Sequence, residues 1–565
     1  MKGKWLVLPV IASLLLTTAC SGGKSTTENT AKSSTAPAAS AEAKNYDPFA
    51  PFPETVTFTS VKSTSVDPKF PAGESYDKNA YNDFMMKKLN VNPKILWALP
   101  SDGEAFKNKI ELSVAANDLP DILQIGGDAT YIKNMVKRLV EADMIEDLTD
   151  VIKNYASPKV KAGWEQNNNG VHDFLAIDGK NYVIPNQMPT ADFPLVWIRD
   201  DWRKKLNLPE PKSIEDVVAI AKAFKEKDPA GGGKTVPLAL QMQNDPIGMF
   251  GGSAFFSYFS SFPRSFYKAD DGKVVYGGIE PQAKEALGFL AQFYKDGLIE
   301  KDFALKDGGK VMELLSGGTA GIVSHSWYGP WYPLNNTLNN DKTADWTPYA
   351  LQGKNGKLEV TAGTPVGTII VVKKGFKYPE LAMKWVNVWT ENKDEEWTIE
   401  LYNGLYKDAV EKNPILFGLA IDSTDKELKK AARLRDALDG KMTRDQLLTF
   451  DERDAYDQIS KFKEGEKDPE NNTKNMPGWQ NYKAWILAMN AINGANPNII
   501  YKAYEGKTPT MEKNMTALES LQMNVYLKII MGKEPIEAFD KFVTDWKAQG
   551  GDEILEEVNK EVSGK

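Results

Sequence analysis

From position 56 the chain alternates between two hydrophobic periods. Val56–Val61 (VTFTSV) sets apolar against polar residues in turn, as a half-buried strand does, and Tyr81, Phe84, Met85 and Leu89 then share one face at helical spacing. Lys94–Leu99 (KILWAL) predicts a second strand. Phe106, Ile110 and Val114 predict a second helix ending near Asn117, and Asp121–Ile125 (DILQI) a third strand. Strand, helix, strand, helix, strand argues for a parallel sheet with helices on both faces. Ligands of such sheets bind beyond the carboxyl ends of the strands, which here carry Ser60–Ser63, Leu99–Asp102 and Ile125–Asp128.

Further on, Asn181–Met188 leads into an apolar strand, Pro194–Trp202. Pro209 and Pro211 precede a helix that Ser213 caps, with Asp216 in the capping-box position, running to about Lys227. Phe289, Phe293 and Tyr294 mark a helix ended by Gly297. Gly318–Trp331 (GTAGIVSHSWYGPW) predicts a strand followed by an aromatic loop, Gly367–Gly375 a strand and Leu381–Thr390 a helix. The C-terminal third is mostly helical: Trp485–Ile492, Leu518–Met531, Ile536–Gln549 and Glu553–Val562. Ile536, Phe539, Val543 and Trp546 form a core stripe that Gly550-Gly551 breaks. No internal repeat is present.

The N-terminus changes the picture. Lys2 and Lys4 precede a short apolar run, Trp5–Leu16, which is too short for a spanning helix and predicts a signal segment over residues 1–19. Thr18-Ala19-Cys20 resembles a bacterial lipoprotein lipobox, although Thr17 stands where a leucine is usual. The resemblance implies diacylglyceryl attachment at Cys20. The Ser-, Thr- and Ala-rich residues 20–54 then form a tether, whose ~25-residue low-complexity part spans roughly 25–30 Å as a coil. An ordinary secretory signal is the alternative.

Composition bounds the remainder. Roughly 510 residues exceed one core and imply two lobes or more. A net charge of −8 gives no electrostatic case for nucleic acid or an anionic membrane surface. The one cysteine is assigned to the lipobox, and His172 and His325 show no metal-ligand spacing, so neither a disulfide, a metal site nor a cofactor is expected.

Several ordered segments resemble the extracellular solute-binding proteins of carbohydrate ABC transporters, in particular the large lipoprotein branch common in Paenibacillus-like bacteria. They are Ala115–Leu123 (AANDLPDIL), Trp197–Pro229, Phe293–Phe303 (FYKDGLIEKDF), the Gly318–Trp331 strand and loop, and Ile529–Glu561. The resemblance implies an α/β, two-lobed, periplasmic-binding-protein-like fold of type II, with a hinge between discontinuous lobes and a helical C-terminal region. Lobe 1 is expected over 55–192 plus 362–440 and lobe 2 over 193–361 plus 441–565, with crossings near Asp192–Ile198 and Ala362–Thr368. It further implies no enzymatic activity, a sugar or oligosaccharide ligand, hinge closure read by ABC permease subunits, a monomer, and a place on the extracellular face of the membrane (the periplasmic face where an outer membrane exists). Many relatives carry an acidic calcium loop after the crossing helix. Here Lys227–Pro237 (KDPAGGGKTVP) has Asp228 as its one acid, which predicts a tightened turn without calcium.

A sugar presents apolar C–H faces and a rim of hydroxyls, so its site needs aromatic platforms and planar polar groups. Covering ~80 Å² of ring contributes about 2 kcal/mol. His325, Trp327, Tyr328 and Trp331, in one loop beside Gly329 and Pro330, are the leading candidates. Trp97 serves either cleft or core, and Asp121 either binds or caps a turn. Asn186 and Gln187 bond hydroxyls or lie in a surface loop. Arg199 forks onto a hydroxyl pair or uronate, or pairs with Asp200 or Asp201. Gln241 and Asn244 follow a short strand. Met249–Phe262 (MFGGSAFFSYFSSF) is a candidate wall of the second lobe. The rival reading is a surface-anchored carbohydrate-active enzyme with paired carboxylates ~5–10 Å apart, though no G-x-S-x-G, H-E-x-x-H or P-loop motif occurs.

Overall fold

The computed structural model describes residues 46–65, 68–100, 105–166, 170–188, 191–243, 245–402 and 414–563. The signal segment, Cys20, the greater part of the tether and Asn244 lie outside the described residues. In chain order the strands are β1 (Val56–Thr64), β2 (Val91–Pro100), β3 (Ile122–Gly126), β4 (Ile184–Pro185), β5 (Leu195–Arg199), β6 (Val236–Ala239) and β7 (Phe266–Lys268). They continue with β8 (Val274–Tyr276), β9 (Ala320–His325), β10 (Trp346–Tyr349), β11 (Leu358–Ala362), β12 (Thr368–Val372) and β13 (Pro497–Tyr504).

The opening strand–helix–strand unit forms as the periodicity predicts. β1 and β2 pair in parallel across the helix Ala80–Leu89, which Asn79 caps by accepting from the amides of Tyr81 and Asn82. The expected all-parallel sheet stops there. β3 runs antiparallel to β12, and β12 pairs antiparallel with β4, because the chain re-enters this lobe in the opposite direction after a long excursion. β1 is instead tied to the start of β3 by side chains. Thr59 donates from its amide and hydroxyl to Asp121 Oδ2 at 2.7 and 2.8 Å, and the Asp121 amide donates to Thr59 Oγ1 at 2.9 Å.

The second lobe is built around the sheet β10-β5-β9-β6. β5 and β9 are buried along their whole length, and the period of two sends alternate residues into different cores. Val196, Ile198 and Ile322 enter one core together with the C-terminal helices, whereas Leu195, Trp197 and Val323 enter another with Trp479 and Trp485. A second sheet, β11-β13-β7-β8, flanks it. The C-terminal helices Pro509–Ile530, Ala538–Trp546 and Asp552–Ser563 bury Tyr526, Phe539, Phe542 and Trp546, and the chain kinks at Gly550, as its glycine pair predicts. Gly550 has φ 111°, and a Cβ there would sit 2.3 Å from Asn514 Nδ2, so only glycine fits.

The first core draws residues from Phe52 to Ile184 and from Val366 to Ile421. The chain therefore passes between cores three times: between Ile184 and Phe193, between Leu358 and Val366, and between Ile421 and Ala431. Helix Lys426–Leu438 buries Ala431, Leu434 and Ala437 against the Trp479 core, although the sequence segment 362–440 is expected with the first lobe. The helix after the first crossing, Ile214–Lys227, has the predicted capping box at Ser213 and Asp216. It ends in a tight loop in which the Asp228 carboxylate accepts from the Gly233 amide at 2.6 Å and from the Thr235 amide and hydroxyl at 3.1 and 2.7 Å.

Candidate functional site

A pocket of about 470 Å³ lies in the second lobe, where the carboxyl end of β9 meets the crossing into β5. Seven of its lining residues carry hydroxyls. Ser253 Oγ lies 3.0 Å from Ser324 Oγ, which also accepts from the Ala254 amide at 3.1 Å. Thr361 Oγ1 lies 3.0 Å from Ser265 Oγ, and Ser257 donates to the Glu359 carbonyl. The Glu359 carboxylate accepts from Asn498 Nδ2 at 3.0 Å, and Lys502 completes the polar rim. Met249, Phe250 and Phe262 supply apolar surface, so the glycine-rich segment Met249–Phe262 forms much of this wall. Its helix, Ser253–Tyr258, presents Ser253 and Ser257 four residues apart.

Among the described residues, the buried Ser261 Oγ and His325 Nε2 at this pocket have no hydrogen-bond partner. His325 is 5 % exposed, and burial pushes its imidazole down to about 4, against a weak contact from Nδ1 to the Ser326 carbonyl at 3.4 Å. It is a neutral ring at physiological pH. Asp192 is exposed at the mouth and accepts from the Ser326 hydroxyl, yet the protein packed around it raises its carboxyl above the ordinary range.

Asp192 and Tyr328 also line a second compartment of about 440 Å³. This one is apolar, with Met188 and Phe193 from the first crossing, Trp327 from the loop, and Leu428 and Ile499 from the elements beyond. The loop after β9 explains the division. Successive turns, Gly329 N to Ser326 O at 3.1 Å and Trp331 N to Tyr328 O at 3.0 Å, coil it nearly like a helix. Residues four apart then point the same way. Trp327 and Trp331 both pack on Trp485, with ring centroids 4.7 and 5.4 Å away, while Tyr328 turns to the pockets and meets His325 edge-on at 5.1 Å. The expectation of three open platforms is thus corrected: Trp331 belongs to an indole cluster, meeting Trp327 and Trp485 in edge contacts, and lines neither of these compartments.

In the first lobe a pocket of about 320 Å³ sits where the sheet argument places it. Lys62 and Ser63 come from the end of β1, Gln124 and Gly126 from the end of β3, and Phe106 and Lys107 from the second helix. Trp97 is half-buried and packs on Phe106 at 5.4 Å, flanking this pocket without lining it.

Several other predicted residues have structural partners instead. Asp121 is the tie to Thr59 at the opposite, amino end of β3. Asn186 Oδ1 accepts from the Gly367 and Thr368 amides at 2.9 Å each. Gln187 donates from its backbone to Ala420 O at 2.9 Å and from Nε2 to Gly163 O at 2.6 Å, and accepts from the Asp422 amide at 2.8 Å. Together Asn186 and Gln187 bind the three crossings to one another, so neither is in a surface loop. Arg199 is fully buried, forked onto Asp201 at 2.8 and 2.7 Å and joined to Asp341 at 2.5 Å, with Trp202 beneath it at 4.4 Å. It faces no cleft. Gln241 closes its own loop, donating to Met249 O at 2.6 Å. Asn244 and Cys20 lie outside the described residues.

Sequence reasoning missed Trp485, Ser324, Thr361, Glu359 and Lys502. The residues on β9, β11 and β13 carry no local signal, since their convergence depends on strand pairing between distant segments. Among the described residues no helix is long and apolar enough to cross a membrane, and no group of three or more His, Cys, Asp or Glu could hold a metal ion.

Residues 67–396 match the model of a family described as bacterial extracellular solute-binding protein. The chain is similar to Lipoprotein LipO of Bacillus subtilis (strain 168), at 22 % identity over 99 % of this chain and 98 % of the relative. It is also similar to the polygalacturonan/rhamnogalacturonan-binding protein YtcQ of the same organism, at 29 % identity over 42 % of this chain and 44 % of that one. In fold it matches the S. pneumoniae ABC-transporter substrate-binding protein FusA in complex with kestose, with a TM-score of 0.54 and 18 % identity, covering 90 % of this chain and 99 % of FusA.

Proposed function

The chain belongs to the bacterial extracellular solute-binding proteins, and on that premise we propose that it captures an oligosaccharide between its lobes and delivers it to the permease of an ABC importer. The observation that carries this reading is the pairing of a hydroxyl-rich pocket with an apolar, tryptophan-walled compartment through Tyr328 and Asp192. A sugar ring needs both: polar groups for its rim and an aromatic or aliphatic wall for its C–H face. Two relatives support a saccharide, one named for a pectic polymer and one solved with a fructooligosaccharide. The lobes are proposed to meet at the three hydrogen-bonded crossings, with closure by hinge motion.

We further propose that Cys20 carries the lipid and holds a monomeric protein outside the membrane through residues 20–54. The similarity to a protein named as a lipoprotein supports this. Metabolic labelling with a fatty acid should mark the wild type and leave Cys20→Ala unlabelled.

Saccharide binding is tested by a thermal-shift and calorimetric panel of oligosaccharides against the protein released from its anchor. Ligand binding the folded state alone adds about 2.7 kcal/mol of stability at a hundredfold excess over Kd. A shift with one saccharide class, and no release of reducing ends on long incubation, is the expected result. No shift with any saccharide overturns the proposal, and steady hydrolysis replaces it with the enzymatic reading.

A further inference from the structure

We infer that the saccharide held against the second lobe is uncharged, and that carboxylates lining its two compartments reject uronic acids. The inference rests on the saccharide reading above and names the ligand's charge.

Asp192 and Glu359 line the polar pocket, and Asp192, Asp425 and Glu427 the apolar one. Among the described lining residues Lys502 is the one cation. Asp425 is offset by Lys429 at 2.8 Å. The others have weaker partners: Asp192 the Ser326 hydroxyl and Glu359 the Asn498 amide. Burial raises the Glu427 carboxyl even though Lys426 and Lys430 lie on its own helix. A second anion seated beside these groups would add repulsion where solvent screening is reduced.

Among the described residues, Lys502 at the rim of the polar pocket is the one group on these walls that could pair with a carboxylate. Recognition of a uronate favours a guanidinium fork, and no arginine lines either compartment. Arg199 spends its fork on Asp201 and Asp341. His325 stays neutral until about pH 4 and offers no positive charge. Hydroxyls of Ser253, Ser324 and Thr361 suit neutral donors and acceptors instead.

The experiment uses calorimetric titration of the anchor-free protein with oligosaccharide pairs that differ only at C6, such as oligogalactosides against oligogalacturonates and cello-oligosaccharides against their glucuronic counterparts, alongside kestose. The neutral member is expected to bind at least about tenfold more tightly at low ionic strength. Asp192→Asn and Glu427→Gln, checked for fold by circular dichroism, should each narrow that ratio. A uronic member that binds as tightly as its neutral partner overturns the inference. A neutral preference that neither variant narrows overturns the assignment to these carboxylates. Failure of every neutral and acidic saccharide removes the underlying reading and the inference with it, so the two failures are distinguishable.

Discussion

The first-lobe pocket is lined chiefly by strand ends, with Lys62, Ser63, Gln124, Gly126 and Thr368 from β1, β3 and β12, whereas the second-lobe pocket adds the first crossing and the glycine-rich wall 247–262 to residues of β9, β11 and β13. Their charge differs too, two lysines lining the first and two carboxylates with one lysine the second. The difference teaches how each wall is held. The first is fixed by the antiparallel β3–β12 pairing, by the Thr59–Asp121 tie and by Lys62 Nζ, which donates to the Ile415 carbonyl at 2.7 Å. The second needs a rigid frame, and Arg199 provides part of it by clamping β5 to Asp341 and to the Gly318 carbonyl.

Breaking that frame should have the largest effect. Arg199→Ala leaves Asp201 and Asp341 without their buried partner and is expected to cost about 3–5 kcal/mol of stability, read as a lowered midpoint in denaturant unfolding. An Arg199→Ala protein of wild-type stability that has lost its ligand would return this residue to the binding site.

Acid should separate the lobes next. Burial lowers His325 to about 4 in the second lobe, and lowers His172, packed edge-on against Trp164 at 4.4 Å, in the first. A histidine whose folded pKa is depressed contributes stability in full above its unfolded value near 6.5. That stability is lost as the pH falls from there through the folded value. For His325 the loss approaches about 3 kcal/mol by pH 4. His325→Gln should flatten the pH dependence of the unfolding midpoint between pH 6.5 and 4, and an unchanged slope would show that the ring is not held neutral.

The smallest expected effect sharpens the comparison of the two walls. Tyr328→Ala removes the aromatic side chain that, with Asp192, lines both second-lobe compartments, and should weaken saccharide binding roughly thirtyfold, the scale of an interface hot spot. Phe106→Ala in the first-lobe wall should weaken it only a fewfold. Calorimetric Kd values in the reverse order would move the principal contact to the first lobe.

The distribution of successes along the sequence has a physical basis. The period-two and period-3.6 patterns located β1, β2, β3 and the helices between them, because each such element buries one face and its periodicity is written in consecutive residues. The capping box at Ser213 and the kink at Gly550 were equally legible, since both are set by one or two side chains acting on adjacent backbone. The aromatic loop was found, but its division into an inward Tyr328 and a tryptophan pair docked on Trp485 was not, because Trp485 lies on a helix far along the chain.

By itself the sequence determined that the chain carries strand and helix units in an order suited to open α/β lobes, and where the first lobe's strand ends lie. Only the tertiary structure decided which polar residues are spent on the frame. Asn186, Gln187 and Arg199 carry groups able to bond a sugar, yet remote backbone groups take up Asn186 Oδ1 and Gln187 Nε2, and the carboxylates of Asp201 and Asp341 take up the Arg199 fork. A polar side chain's availability depends on what folds against it; Asp201, two residues from Arg199, is legible locally, whereas the partners of Asn186 Oδ1 and Gln187 Nε2 lie far from them in sequence.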